Sequence, residues 1–151
     1  MKHKLSKEDM DLAYETAYRR YLASSGSTHE RRSIEGSFII KLRGFGAEIA
    51  VARMFHIEPK MNDGILAKYD LVINEKKVDV KHNYHPKGDL LVPSKKKDDG
   101  CNVYILVGGD FPEYELVGWV YAEELFKPEN IKTYNGYESY KVYFKDLKIF
   151  K

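Results

Sequence analysis

From Met10 to Leu22 the apolar residues Met10, Ala13, Ala17, Tyr21 and Leu22 recur at the spacing of a helix buried on one face. Ser6-Lys7-Glu8-Asp9 stands ahead of them as a start signal, with Ser6 as N-cap and an acid three residues on. After the flexible break Ser24-Ser25-Gly26-Ser27-Thr28, a second stripe of Phe38, Leu42, Phe45, Ile49 and Ala52 predicts a helix from about Ile34 to His56. Gly36, Gly44 and Gly46 each weaken that helix by roughly 1 kcal/mol relative to alanine. Two glycines so close together predict a bend or a close neighbour, with a break near Gly44.

Beyond Glu58 the period changes. Pro59, Asn62, Asp63 and Gly64 are loop residues, and strand-like segments follow. Tyr69 to Ile73, the polar turn Asn74-Glu75-Lys76-Lys77 and Val78 to Lys81 read as a hairpin. A lysine-rich loop with Pro86, Gly88, Pro93 and Gly100 holds a short strand at Leu90-Leu91-Val92. Asn102 to Val107 is nearly all apolar, as in a strand covered on both faces. Tyr114 to Tyr121 predicts another strand and Ala122 to Phe126 a helical turn. Asn135-Gly136 marks a last hairpin running on through Tyr140 to Phe144. Helices first and strands afterwards predict an α/β or α+β chain without an internal repeat.

Composition narrows the class. The 151 residues are 43% hydrophobic and 32% charged, which excludes a disordered tail or a low-complexity array. A single cysteine, Cys101, leaves no intrachain disulfide and no Cys-rich zinc framework. No apolar run approaches the ~18 residues of a membrane span, and Met1-Lys2-His3-Lys4-Leu5 has no signal core. A soluble cytoplasmic protein with no membrane partner is expected. The net charge of +2 hides its distribution. All six arginines precede residue 54, seven lysines lie between Lys76 and Lys97, and six acids lie between Gly108 and Asn130. Such runs are commonly solvated faces.

Four residues stand out by placement. Side chains two apart on a strand share a face, so Asp79 and Lys81 point together while Val78 and Val80 point the other way. With the hairpin turning at residues 74–77, Asp70 lies across from about position 81. Glu48 sits roughly 80° round from the centre of its helix stripe, at ~100° per residue, on the flank of the buried face. Carboxylates suit a hard cation such as Mg²⁺, which keeps several waters. A bound metal activates water and stabilises a leaving oxygen, and a neighbouring lysine neutralises developing charge.

On helix, strand and strand in that order, Glu48, Asp70 and Asp79-Val80-Lys81 resemble the PD-(D/E)xK nuclease superfamily, the restriction-endonuclease-like fold. The wider run is similar to small phage-encoded members. It takes in Gly44-Phe45-Gly46-Ala47-Glu48, Leu90-Leu91-Val92, Val103 to Val107 and Gly118-Trp119 ahead of Glu123-Glu124. Tyr69 stands in place of the name-giving proline, and only eight residues separate Asp70 from Asp79.

The resemblance implies an α/β fold with a mixed central sheet flanked by helices, over residues 29–151, with an N-terminal helical arm over 1–28. It implies a metal-dependent endodeoxyribonuclease, structure-specific for junctions or flaps in phage-type DNA processing and acting in the host cytoplasm if phage-encoded. Asp70 and Asp79 would bind Mg²⁺ or Mn²⁺ with the Val80 carbonyl, Glu48 would join directly or through water, and Lys81 would be the catalytic lysine. Duplex or branched DNA would be the partner. His82 and Asn83 would border the site and meet a phosphate, and Lys95, Lys96 and Lys97 would line the groove for the backbone.

Other readings of the same residues stand beside this one. Asp79 and Lys81 also fit the solvent face of an amphipathic strand, Asp70 a turn residue and Glu48 a surface acid. His82-Asn83-Tyr84-His85 invites a zinc reading, with no Cys pair to support it. The tyrosines show no interleaving with basic residues of the kind that stacks a single strand. A catalytically inactive nucleic-acid-binding module is the alternative function, and a protein-interaction or virion component a third. The helix bearing Arg19 and Arg20 is a candidate homodimerisation arm or DNA clamp.

Overall fold

In the computed structural model, Ser6 separates a short strand, β1 (Lys2–Lys4), from α1 (Lys7–Ser24) and caps the helix, its Oγ accepting the Asp9 N–H at 3.1 Å. Residues 1–24, 34–59, 68–85, 87–97 and 99–151 are described; the expected break at 25–28, the loop at 62–64 and Pro86 lie outside them. The α1 stripe buries Ala13 and Ala17 completely, whereas Leu22 is exposed. The second helix, α2 (Ile34–Met54), is buried far beyond a single stripe: Ala47, Ile49, Ala50, Val51 and Ala52 are all inaccessible. It ends where His56 takes a left-handed conformation (φ 57°) and the Ile57 N–H returns to the Ala52 carbonyl at 2.8 Å. Arg53 ties the two helices together through a two-pronged contact with buried Asp9, at 2.8 and 3.0 Å.

The expected break at Gly44 does not occur; α2 runs through both glycines. Gly46 serves the close approach instead. A Cβ there would overlap the hydroxyl of Tyr114 and lie 3.0 Å from Phe111 Cδ2. That hydroxyl donates to the Arg43 carbonyl at 2.9 Å, so the ring is fixed against the helix.

The strands are β2 (Leu71–Ile73), β3 (Lys76–His82), β4 (Leu90–Pro93), β5 (Val103–Asp110), β6 (Glu113–Tyr121), β7 (Ile131–Tyr134) and β8 (Tyr137–Val142), with the short helix α3 (Ala122–Leu125) after β6. They form a five-stranded mixed sheet, β1-β6-β5-β3-β2, and a three-stranded antiparallel one, β4-β8-β7. Only β3 and β5 run parallel, with Asp79 beside Tyr104 and Lys81 beside Leu106. The chain is thus mixed α/β.

β5 is covered on both faces, as its composition requires. Val103, Ile105 and Val107 join the core beneath the helices, while Tyr104 and Leu106 join a second core with Leu90, Val92, Tyr140 and Val142 of the small sheet. Three layers result: helices, large sheet and small sheet. Leu5, Ala13 and Ala17 share the first core with α2, so α1 packs into the body of the molecule. Residues 144–148 close the second core over β6, where Lys148 pairs with Trp119 and Gly118 leaves room for Leu147. Among the described residues no helix is long and apolar enough to cross a membrane.

The two glycines of α2 separate by substitution. Gly44→Ala meets nothing within 4 Å and is expected to stabilise the fold by about 0.5–1 kcal/mol. Gly46→Ala is expected to cost about 1–3 kcal/mol through overpacking, part of it recovered by adding Tyr114→Phe. Urea denaturation of the three variants measures this; equal effects at both glycines would contradict the packing.

Candidate metal and nuclease site

The β2–β3 hairpin turns through Asn74 and Glu75 alone, both with positive φ (49° and 66°). Such a two-residue turn shortens the expected one by two positions. Leu71 therefore pairs with Val78, and continuing that register sets Asp70 across from Asp79 rather than from Lys81. The correction brings the two carboxylates closer to one another. The Asp70 N–H donates to the Val78 carbonyl at 2.9 Å, and its Oδ2 accepts the Val80 N–H at 2.7 Å. Val80 thus enters the site through its N–H.

Asp79 is only 3% exposed. The Lys81 ammonium lies 2.7 Å from its Oδ1, and Lys96 donates to Oδ2 at 3.3 Å. Lys96 comes from a helical turn, Ser94–Lys96, that follows β4, so the small sheet delivers it. Burial opposes the charge on Lys96, yet Asp79 and the hydrogen bonds around it hold its pKa above the usual lysine value. Lys81 approaches Oδ1 off the direction of a hydrogen bond, and this buried oxygen has no directed donor.

Glu48 approaches the group from α2, near enough to Asp70 and Asp79 to feel both of their charges. Burial, followed by the charges of Asp70 and Asp79, drives its pKa well above the carboxylate range, and Arg20 from α1 pulls the other way. Asp70 is raised as well, first by burial and then by Asp79, against the Val80 N–H and the two lysines. Both directions favour a proton kept on the Glu48–Asp70 pair over two adjacent negative charges.

Of the expected site residues, Glu48, Asp70, Asp79, Val80 and Lys81 lie in one neighbourhood, and Lys96, expected as a phosphate contact, bonds Asp79 instead. His82 does not join them. It lies on the face of β3 opposite Asp79, its Nε2 2.7 Å from the Gly109 carbonyl and its ring edge-on to Tyr114; burial lowers its pKa. Asn83 is spent on the local turn: its Oδ1 accepts the His85 N–H at 3.0 Å and its Nδ2 reaches the Asp89 carbonyl at 3.4 Å. Gly88 is required beside it, because a Cβ there would collide with the Asn83 amide. Lys95 and Lys97 are exposed.

Two residues lie nearer the acids than the sequence pattern indicates. Nothing local in Ser94-Lys95-Lys96-Lys97, expected together as phosphate contacts, shows which lysine turns inward to Asp79. Arg20, on the helix expected as an N-terminal arm, continues the Ala13–Ala17 stripe at helical spacing, a signal the sequence does carry. Cys101 is buried as expected, its Sγ bonded to the Lys68 carbonyl and its pKa pushed up to about 11 by burial.

Among the described residues no group of three or more His, Cys, Asp and Glu stands at metal-holding spacing. The acids offer only oxygen donors, the chemistry that suits a hard cation, and Asp79 Oδ1 is buried without a directed donor although the Lys81 ammonium lies 2.7 Å away. No family model, no curated protein and no solved structure matches the chain.

The raised carboxyl groups give a pH dependence of known sign. The folded chain keeps protons that the unfolded chain releases, so stability falls as pH rises from the ordinary carboxylate range through the raised one. Urea midpoints measured from about pH 4.5 to about pH 8.5 are expected to decline in the wild type. Glu48→Gln, which removes the titrating group, should flatten that decline; an unchanged slope would contradict the retained proton.

Proposed function

We propose that this chain is a metal-dependent nuclease of the restriction-endonuclease-like type, hydrolysing DNA phosphodiester bonds in the cytoplasm. The observation that carries the reading is buried Asp79, with two lysines on its carboxylate and Asp70 and Glu48 beside it. Buried charge clusters of this kind are uncommon outside functional sites.

Asp70, Asp79 and Glu48 would hold Mg²⁺ or Mn²⁺, with the Val80 carbonyl implied by the family resemblance. The bound ion would supply an activated water and charge stabilisation at the phosphate. The protein's own groups have separate tasks. The Val80 N–H fixes the Asp70 carboxylate, so one acid is aimed before anything binds. Lys81 keeps a positive charge beside Asp79, where it can orient a water and offset charge gathering on a phosphate oxygen. Lys96 holds the other Asp79 oxygen. Burial and the neighbouring acids favour the protonated form of Glu48, so its use as a ligand would link cation binding to proton loss.

The reading is tested by a panel of duplex, nicked, flap and junction DNA with Mg²⁺, Mn²⁺ or EDTA. Cutting is expected with the metals and none with EDTA. Asp79→Asn and Lys81→Ala are each expected to slow it by about 10²–10³-fold while circular dichroism shows the fold retained. Undiminished cutting by both variants would remove this site from the chemistry, and the absence of cutting on every substrate would favour a nucleic-acid-binding module.

A further inference from the structure

The small sheet carries a second surface that the carboxylate site does not use. Tyr140 and Val142 of β8, Ile131 of β7 and Leu90 and Val92 of β4 face inward to the second core. Strand alternation and the register Tyr134↔Tyr137, Lys132↔Ser139 and Leu91↔Lys141 then put Lys132, Tyr134, Tyr137 and Lys141 on the outer face. Tyr143 follows directly after β8. The rings are strongly exposed: Tyr134 54%, Tyr137 79% and Tyr143 45%. Cations sit among them. Lys141 Nζ lies 5.9 Å from the Tyr134 ring centre and 4.9 Å from that of Tyr143, and Lys145 Nζ lies 5.9 Å from Tyr143. Asp89 is the acid at this face, 3.4 Å from Lys141.

The interleaving of rings and cations that the linear sequence lacks is therefore made in space. Two-residue alternation turns a tyrosine at every third position, Tyr134, Tyr137, Tyr140 and Tyr143, into three outward rings and one core ring. An exposed sheet face with separated rings and lysines offers flat surfaces for bases and charge for phosphates. β8 has six residues, an extended run of roughly 20 Å. A second protein would favour a face with fewer solvated lysines, since interface cores are depleted in that residue.

We propose that the outer face of the three-stranded sheet binds single-stranded DNA, with bases stacked on Tyr134, Tyr137 and Tyr143 and phosphates met by Lys132, Lys141 and Lys145. The proposal deepens the nuclease reading by naming a substrate with a single-stranded part, and rests on that reading only for its purpose. β4 links the two regions. Its outer residue Leu91 lies beside Lys141, and its end at Pro93 leads into the turn that places Lys96 on Asp79. β4 thus runs from beside the ring face to the turn that carries Lys95, Lys96 and Lys97.

The test is equilibrium binding of fluorescein-labelled oligo(dT) and of a blunt duplex to the full chain in EDTA, where cutting does not intervene. Oligo(dT) is expected to bind more tightly than the duplex. Tyr137→Ala and Tyr143→Ala are each expected to weaken it by about tenfold, with melting curves unchanged. Lys132→Gln with Lys145→Gln, a variant that leaves every ring in place, should reduce the salt slope of log K by about 0.7 per lysine. Oligo(dT) affinity unaltered in all of these variants would overturn the proposal. So would tyrosine-dependent self-association in sedimentation without oligo(dT) binding, which would make the face a contact between copies. Tyrosine-dependent binding without metal-dependent cutting would refute the nuclease reading and leave this surface standing; metal-dependent cutting with tyrosine-independent binding would do the reverse.

Discussion

Carboxylates gathered in one half-buried place repel each other, and the architecture around Glu48, Asp70 and Asp79 is organised by the need to offset that repulsion. Two different solutions operate within a few residues. Asp79 is countered by the Lys81 and Lys96 ammonium groups, whereas burial and mutual repulsion favour the protonated form at Glu48 and Asp70, with Arg20 pulling the other way from α1. Each solution draws on a separate part of the chain: β3 itself, the turn after β4, and the two helices. A cluster of this kind is costly to stability, because burial opposes each charge that its neighbours do not offset.

Holding such a cluster requires a stiff surround. α2 carries Glu48 in its most deeply buried segment, and that segment is fixed on one side by Gly46 against Tyr114 and on another by Arg53 through Asp9. The parallel β3–β5 pair places Asp79 and Lys81 over Tyr104 and Leu106, so the polar residues lie at the margin of the second core. Asp79 and Lys81 thus lie on the sheet face opposite the one that packs the helices. His82, one position beyond Lys81, turns to the helix face and bonds Gly109 for that reason.

Much of this was legible in the residue pattern, because it depends on local rules. The Ser6 cap, both helices, the Asn135-Gly136 hairpin and the doubly covered β5 follow from capping, periodicity and turn chemistry. The grouping of Glu48 with Asp70, Asp79 and Lys81 rests on helix–strand–strand order; in the fold Asp70 bonds the Val80 N–H, Lys81 meets Asp79, and Glu48 lies near both acids. The failures share a physical cause. The hairpin register depended on Asn74 and Glu75 both adopting positive φ, which glutamate seldom does, so the turn was read as too long. β1 is made of Lys2, His3 and Lys4, which carry no strand signal and acquire one only by pairing with β6. The unbroken α2 depended on a distant tyrosine. Lys96 and the tyrosine face depended on β4, β7 and β8 forming a sheet of their own, a pairing that strand pattern alone leaves open.

The pairing of β4 with β8 also sets an order of events during synthesis. Both carboxylate strands emerge early, but the turn bearing Lys96 is anchored only when a strand some fifty residues further along has left the ribosome. Until then Asp79 has Lys81 alone for company, and a nascent chain carries an electrostatically unfinished pocket. The full set of positive charges around Asp79 is therefore complete only once the distal hairpin has closed on β4.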